Sequence, residues 1–254
     1  KSGLYDTLRT VVEKNVNDNG MPVELWQSAT GITRCWQFLG SLQPYMLNFL
    51  ENHDEQRLAS TFFAGNPLKG KAPLLVSALM YTNPMMIYFG QELGEKGMDA
   101  EGFSGEDGRT TIFDYWTVDT IRRWRNNGKF DQLLTEDELS LQDYYAKVLN
   151  ICNSSEAVRE GEFYDLMYVN PQLQKQYTFV RHSEKETLLV IANFASQDTE
   201  ITINVPEHLF EYYGIKENTA CEWTDLLSGS QITTAFSSNM PTKLNVPSWG
   251  GCIL

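Results

Sequence analysis

Three polar side chains, those of Asn52, His53 and Asp54, begin two residues after a short apolar and aromatic run at residues 45–50. This run comes after Pro44 and is long enough to form a buried strand. The sequence therefore predicts a strand that delivers an amide, an imidazole and a carboxylate to one place, where they could act on a bound substrate. The alternative is structural, because a histidine beside an aspartate can also form a hydrogen-bonded pair or a helix cap.

A second segment, about thirty residues further on, has the same arrangement of an apolar strand followed by polar residues. Residues 83–92 contain a turn signal, a short apolar strand and then Gly90 followed by two polar side chains, those of Gln91 and Glu92. The apolar stretch 72–81 between the two strands predicts a helix with Pro73 in its first turn. Strand, helix and strand form the βαβ unit of a parallel sheet. In (β/α) barrels, catalytic residues lie at the carboxyl ends of such strands.

At these two motifs the sequence resembles the α-amylase family of glycoside hydrolases, family 13. Residues 49–57 are similar to its fourth conserved region, which ends in Asn-His-Asp on barrel strand seven. Residues 84–92 are similar to its strand-eight motif, usually Gly-x-Pro-x-Ile-Tyr-Tyr-Gly-x-Glu, although Asn83 replaces the first Gly-x and Phe89 the second Tyr. Two motifs in the correct order and at the correct spacing are more specific than either one.

The resemblance implies roles for individual residues. Asp54 would be the carboxylate that stabilises the oxocarbenium-like transition state, and His53 would donate a hydrogen bond to the same sugar. Such contacts help catalysis only insofar as they strengthen in the transition state. Further substrate contacts would come from Asn52, Arg57 and Arg109, with support from Gly90 and Glu92.

Several of these residues have structural alternatives. Arg57 would hold Asp54 or a neighbouring carboxylate by a charge-assisted hydrogen bond, or else form an exposed ion pair. Glu92 would orient the strand-seven residues or cap the next segment, and Gly90 would allow close backbone approach or make a simple turn. Arg109, with the aromatic residues a few positions after it, would bind outlying sugars or anchor its loop.

Two carboxylates of the expected chemistry are missing from the chain. A retaining glycosidase needs a nucleophile and an acid/base roughly 5 to 5.5 Å apart, and in the family both lie upstream of strand seven. The acidic residues before Phe49 stand in no similar pattern; they are Asp6, Glu13, Asp18 and Glu24. The chain also opens on Lys1. We therefore expect a C-terminal portion, inactive alone, whose partner is the missing N-terminal part of the same protein.

The expected fold class is α/β plus all-β. The resemblance implies that residues 1–160 form the C-terminal part of a catalytic (β/α)8 TIM barrel, from helix six to helix eight, and that residues 161–254 form an antiparallel β-sandwich domain. The pattern changes from helical to alternating near residue 161. Helices are predicted at 4–16, 22–39, 72–81, 116–124 and 140–152, and strands at 176–181, 187–194 and 199–205.

Composition limits the classes of partner. The 254 residues carry a formal net charge of −13, which makes nucleic acid and anionic membranes poor partners. No apolar run approaches the roughly 18 residues that span a bilayer. A neutral α-glucan oligosaccharide or polysaccharide fits this charge. The compartment stays open, with an extracellular or periplasmic location slightly favoured over the cytoplasm.

No metal ligand is assigned from the sequence. The four cysteines are scattered without a C-x-x-C pair or nearby histidines, so free buried thiols are favoured over a zinc site. Residues 94–102 superficially suggest calcium, yet they lack the D-x-D-x-D-G arrangement with a distal Glu. No cofactor is therefore expected from this chain, and calcium is considered only through upstream segments.

Three functional hypotheses follow. The leading one is a retaining α-glucan hydrolase of α-amylase type, a glycosidase cleaving α-glucosidic bonds in starch or maltooligosaccharides. The second is a transglycosylase or isomerising relative, because acceptor choice is set largely by upstream loops. The third is a catalytically inactive carbohydrate-binding or partner subunit, against which the retention of His53 and Asp54 argues.

Overall fold

The computed structural model describes residues 3–12, 28–97, 107–113 and 118–254. In the first part of the chain the helices are α1 (Leu4–Val11), α2 (Thr30–Leu39), α3 (Lys71–Leu79), α4 (Asp119–Arg125), α5 (Glu136–Ser154) and α6 (Glu156–Arg159), and the strands are β1 (Asn48–Phe49) and β2 (Met85–Met86). The second part contains β3 (Glu162–Asp165), β4 (Gln176–His182), β5 (Thr187–Asn193), β6 (Thr199–Ile203), α7 (Glu207–Tyr213), β7 (Asn218–Thr224), β8 (Gln231–Phe236), β9 (Thr242–Val246) and β10 (Gly251–Ile253).

The predicted strand, helix and strand unit is confirmed. Strands β1 and β2 pair in parallel, with Asn48 opposite Met85 and Phe49 opposite Met86, and α3 connects them. The first strand is shorter than predicted, because residues 40–45 form a 3₁₀ helix in which Pro44 lacks the N–H that a sheet would use. Within the described residues each of the two strands pairs only with the other.

The predicted helix boundaries need correction. Helix α1 ends at Val11, where the backbone of Val12 turns extended, and α2 begins only at Thr30. The predicted segments 13–16, 22–27 and 116–117 lie outside the described residues. Helix α5 is longer than the predicted 140–152, because Thr135 and Glu138 form a reciprocal capping box that starts the helix one turn earlier.

The second part of the chain is built from antiparallel strands. Four of them form a sheet in the order β10-β5-β4-β3, while β6 pairs with β9 and β7 with β8. The strands predicted at 176–181, 187–194 and 199–205 are confirmed as β4, β5 and β6. Strands β3, β7 and β8 and helix α7 escaped the sequence analysis. Most residues of β7 are exposed and polar, so they give no alternating signal.

One continuous apolar core joins the two parts. Helix α3 is buried around most of its circumference and packs on β1 on one side and on β5 and β10 on the other. The closest approach is at Gly251 of β10, where a Cβ atom would lie 2.4 Å from Cδ1 of Leu75 and 2.0 Å from the carbonyl oxygen of Ile191. Glycine is therefore required where the sheet meets the helix.

A buried cation adds a polar connection across the same interface. The side chain of Arg181 in β4 is 1% exposed and donates to four carbonyl oxygens at 2.8 to 3.0 Å, those of Met80, Ala157, Val158 and Gly161. Burial lowers the pKa of Arg181 to about 10, so the guanidinium stays charged at neutral pH. The end of α3, helix α6 and β4 are thereby fixed to one another.

No helix in the described part of the chain combines the length and the apolar character that crossing a bilayer requires.

We expect the Gly251→Ala substitution to lower the free energy of unfolding by about 2 to 3 kcal/mol, because the added methyl group overpacks the contact between β10 and α3. The matched control is Gly250→Ala, whose Cβ would meet its nearest neighbour at 3.5 Å, an ordinary contact distance. Urea denaturation of both variants measures the difference. Equal stabilities for the two variants would contradict this account of the interface.

Candidate functional site

The polar loop after β1 is organised by its first residue. The side-chain oxygen of Asn52 accepts hydrogen bonds from the backbone N–H groups of Asp54, at 2.8 Å, and Glu55, at 3.0 Å. This Asx-type turn leaves the side chains of His53 and Asp54 side by side and 55% and 76% exposed, with Nε2 of His53 3.3 Å from Oδ2 of Asp54. Asn52 thus shapes the loop, while the imidazole and the carboxylate face solvent.

A buried ion pair lies beneath this loop. Glu51 is 2% exposed and Arg57 is fully buried, and Nη1 of Arg57 donates to Oε2 of Glu51 at 2.8 Å. The other carboxylate oxygen of Glu51 accepts from the backbone N–H of Leu58 at 2.6 Å. Burial raises the pKa of Glu51, and the charge of Arg57 opposes this rise. The pair closes the chain segment that carries Asn52, His53 and Asp54 into a loop.

Arg57 also ties the loop to the second strand. Its Nη2 donates to the carbonyl oxygen of Phe89 at 2.7 Å, its Nε donates to Oγ1 of Thr110 at 3.0 Å, and its guanidinium lies 4.5 Å from the ring centre of Tyr88. Of the roles considered for Arg57, the structure shows that of holding a neighbouring carboxylate, which is Glu51 and not Asp54. A direct contact of Arg57 with substrate stays a prediction.

The sequence analysis did not single out Glu51. The available signal was a carboxylate at the end of an apolar run, followed six residues later by an arginine before another apolar residue, Leu58. Charged residues are rarely buried unless they are paired, so the two positions point to each other once the segment is known to be buried.

Helix α1 packs against the loop after β1 and stabilises it through hydrogen bonds. The hydroxyl of Tyr5 donates to Oε2 of Glu55 at 3.1 Å, and Arg9 donates to the hydroxyl of Tyr5 at 2.7 Å and to Oε1 of Gln56 at 3.0 Å. The ring of Tyr5 stacks on Phe49 of β1 with 5.0 Å between ring centres. The loop is thus held both from beneath and from the side.

The structure places Gly90 and Glu92 at the end of β2. Gly90 adopts the left-handed conformation at φ +84° and starts a short 3₁₀ turn, so the turn role is the one observed. Glu92 is partly buried, and its buried Oε2 has no hydrogen-bond partner among the described residues. Burial raises the pKa of Glu92, opposed by backbone hydrogen bonds and by the charge of Arg57. Among the described residues, Glu92 makes no direct contact that would orient the loop after β1.

Arg109 is held by a neighbouring carboxylate, that of Asp107. Its Nε donates to Oδ2 of Asp107 at 2.6 Å, and its backbone N–H donates to Oδ1 of the same residue at 3.1 Å. The hydrogen bond that Arg109 donates to the carboxylate of Asp107 raises the pKa of Arg109, and the negative charges of Asp54 and Glu55 raise it further. The structure thus brings Arg109 and Asp54 within electrostatic reach. The flanking stretches 98–106 and 114–117 lie outside the described residues.

Across residues 3–12, 28–97, 107–113 and 118–254, no group of three or more histidine, cysteine, aspartate or glutamate side chains could hold a metal ion. The four cysteines are free thiols, of which Cys35 and Cys252 are buried.

We expect Arg57→Gln to lower the free energy of unfolding by about 3 to 5 kcal/mol, because it leaves the carboxylate of Glu51 buried without its cation. The matched control is Arg122→Gln, which removes a mostly exposed ion pair with Asp119 at 3.8 Å and is expected to cost less than about 1 kcal/mol. Chemical denaturation gives both values. A cost of 1 kcal/mol or less for Arg57→Gln would contradict the structural role of the buried pair.

We expect the stability gap between Glu92→Gln and the wild-type protein to change with pH. Because burial raises the pKa of Glu92 above its ordinary 4.5, the unfolded carboxyl loses its proton first as the pH rises. The wild-type protein therefore loses stability relative to the variant above about pH 4.5, and the gap is smallest below that pH. Urea denaturation of both proteins between pH 4 and pH 7 measures it. A gap that is constant over this range would refute the effect of burial.

Comparison with known proteins finds solved structures with a similar fold. No family model matches the chain, and no curated protein matches it. Solved structures of similar fold include AmyP in complex with maltose (TM-score 0.65, 16% identity), an α-amylase from Anoxybacillus (0.60, 21%) and a debranching enzyme from Nostoc punctiforme (0.58, 18%).

These likenesses extend over nearly the whole chain but over only part of each similar protein. They cover 98% of this chain and 48% of AmyP, 98% and 45% for the Anoxybacillus enzyme, and 100% and 44% for the Nostoc punctiforme enzyme. The chain thus spans somewhat less than half the length of the structures it matches. Its fold over this length is that of a part of an α-amylase, in agreement with the resemblance seen in the sequence motifs.

Proposed function

We propose that this chain is the C-terminal part of a retaining glycoside hydrolase of α-amylase type that cleaves α-glucosidic bonds in starch or maltooligosaccharides. The observation that carries the proposal is the loop after β1, where the Asn52 turn presents His53 and Asp54 together at the carboxyl end of a parallel strand. AmyP, which has a similar fold, is solved with maltose and, as a variant, with maltotriose. Both observations support an oligosaccharide as the ligand.

The chemistry of the loop fits the role of transition-state stabilisation. Breaking a glycosidic bond builds positive charge on the sugar ring, and a carboxylate held beside that ring attracts the growing charge. Asp54 supplies this carboxylate, and His53 supplies a hydrogen-bond donor next to it. Because the ion pair of Glu51 and Arg57 fixes the loop before substrate arrives, Asp54 needs little reorganisation to act.

The finer architecture belongs to the same proposal. Strands β1 and β2 would be strands seven and eight of a (β/α)8 barrel formed in part by residues 1–160, and residues 161–254 would be the following β-sandwich domain. Parallel pairing with an intervening helix supports the first assignment, and the antiparallel pairing of β3 to β10 supports the second. In a closed barrel each strand has two neighbours, whereas each of these two has one within the described residues.

The partner of this chain would be the N-terminal part of the same protein, which would bring the nucleophile and the acid/base. An apolar surface supports this docking: residues 38–47, at the end of α2 and ahead of β1, expose four large hydrophobic side chains. These are Phe38 (72% exposed), Leu42 (61%), Tyr45 (86%) and Leu47 (48%). Any calcium would bind through that upstream part as well.

The decisive experiment measures reducing-sugar release from maltoheptaose by the full-length protein. We expect Asp54→Asn to lower kcat/KM by about a hundredfold or more, as the loss of one preorganised electrostatic contact does. The control Glu200→Gln, which removes an exposed carboxylate on β6, is expected to retain wild-type activity.

Three outcomes separate the alternatives. Loss of activity in Asp54→Asn alone supports the hydrolase. Rapid formation of longer or isomerised products in place of reducing ends identifies a transglycosylase or isomerising relative. Absence of any turnover by the wild-type protein overturns the hydrolase and favours a binding or partner subunit.

A further inference from the structure

A wide groove lies on a different face of the molecule from the Asn52–Asp54 loop. A cavity of about 670 Å³ opens between α2, the end of α3 and β3, and its aromatic lining consists of Trp36, Tyr81, Phe163, Tyr164, Tyr168 and His208. A second cavity, of about 660 Å³, adjoins it at Gly161 and Glu162, which line both, and is bounded by Tyr212 and Tyr213 of α7. We call the two cavities together the tyrosine groove.

The tyrosine groove shares no residue with the polar loop after β1. Tyr81 and Thr82 line the groove and precede β2 in the chain, whereas residues 52–54 follow β1. Because β1 and β2 run parallel, the start of β2 and the end of β1 lie at opposite ends of the pair. A ligand in the groove therefore occupies a site separate from the proposed catalytic loop.

The rings along the groove hold one another in place. The hydroxyl of Tyr164 lies 2.9 Å from the hydroxyl of Tyr168 and 3.1 Å from Nδ1 of His208. The ring of His208 in turn stacks on Tyr212, with 5.9 Å between ring centres and 21° between ring planes. Tyr168 and Tyr212 are nevertheless 60% and 58% exposed. These rings are thus preorganised by neighbours but still present their faces to solvent.

The charges around the groove select against anionic ligands. Its polar walls carry five carboxylates, those of Glu156, Glu160, Glu162, Asp165 and Glu184. The buried guanidinium of Arg181 also lines it, but all three of its nitrogens donate to backbone carbonyl oxygens. Phosphates, nucleotides and acidic peptides would meet repulsion here.

A neutral sugar chain matches the remaining chemistry. The faces of pyranose rings carry C–H groups of slight positive charge, which pack well on the negative faces of aromatic rings. Sugar hydroxyls would donate to the carboxylate of Glu162 and exchange hydrogen bonds with the tyrosine hydroxyls and with Gln37, whose side chains line the same cavity. The combined volume of the two cavities is also large enough for more than one sugar unit.

We propose that the tyrosine groove is a second, non-catalytic binding site for a neutral oligosaccharide. That the oligosaccharide is an α-glucan rests on the proposed function, whereas the site itself does not. Its use would be to hold a polysaccharide chain near the enzyme and so raise the local substrate concentration at the catalytic loop.

The test is isothermal titration of the full-length protein with maltoheptaose, in an Asp54→Asn background in which turnover is slowed by about a hundredfold or more and binding at the loop is weakened. We expect Tyr168→Ala combined with Tyr212→Ala to weaken the remaining binding about ten-fold, because two stacking faces are lost. Tyr168→Phe, which keeps the ring, is expected to stay within about two-fold of the background protein. The control Phe130→Ala removes a ring of similar exposure (51%) outside the groove and is expected to leave the dissociation constant unchanged.

Circular dichroism of each variant confirms that it is folded, and the exposure of both tyrosines makes their replacement tolerable. Absence of maltoheptaose binding in the Asp54→Asn background, or equal dissociation constants for the groove variant and Phe130→Ala, overturns the second site. Hydrolysis of maltotriose that depends on Asp54 would leave the proposed function standing in that case. Conversely, a groove-dependent loss of binding in a protein without turnover would retain the site and refute the hydrolase.

Discussion

The ion pair between Glu51 and Arg57 is the constraint on which the candidate site depends. Two opposite charges are removed from water at the end of β1, which costs several kcal/mol for each ion unless every polar atom finds a partner. Here the carboxylate accepts from Arg57 and from the backbone of Leu58, and the guanidinium also reaches Phe89 and Thr110. The pair therefore connects β1, its own loop, the end of β2 and the segment around Thr110.

The arrangement places one set of charges in the dry interior and another in water. Glu51 and Arg57 are fully enclosed, whereas His53 and Asp54, only a few residues away, are mostly exposed. The buried pair of Glu51 and Arg57 has a structural role, because hydrogen bonds on every side fix its geometry. The outer pair is left for a ligand, and the turn made by Asn52 sets its orientation. Rigid support beneath an exposed carboxylate is the requirement for electrostatic catalysis without reorganisation.

The two parts of the chain are not independent in their packing. Helix α3 shares its buried surface between β1 and the sheet of β5 and β10, and Arg181 of β4 bonds to the carbonyl of Met80 just after α3. The antiparallel sheet thereby stabilises the position of helix α3, which connects the parallel strands β1 and β2. It also forms one wall of the tyrosine groove, which exists only because β3 and α2 meet across this junction.

The sequence by itself determined the βαβ unit, the strands β4, β5 and β6 of the second part and the Asn-His-Asp loop. These features are local: apolar runs of strand length, a proline near a helix start and polar residues at a strand end all act over a few neighbours. The sequence also contained both members of the buried pair, but the inward orientation of Arg57 towards Glu51 could not be predicted from it.

Only the tertiary structure decided the burial of Arg57, the support of the loop by Tyr5 and Arg9 from helix α1, and the meeting of Tyr164, His208 and Tyr212 along one groove. In the second case the partners are 47 to 50 residues apart in the chain, and in the third Tyr164 precedes His208 by 44 residues. In the first, the partner is close in sequence but the burial is imposed from elsewhere, by Phe89 and Thr110. Residue type and spacing report local conformation, whereas burial and long-range contact depend on how the whole chain closes around a core.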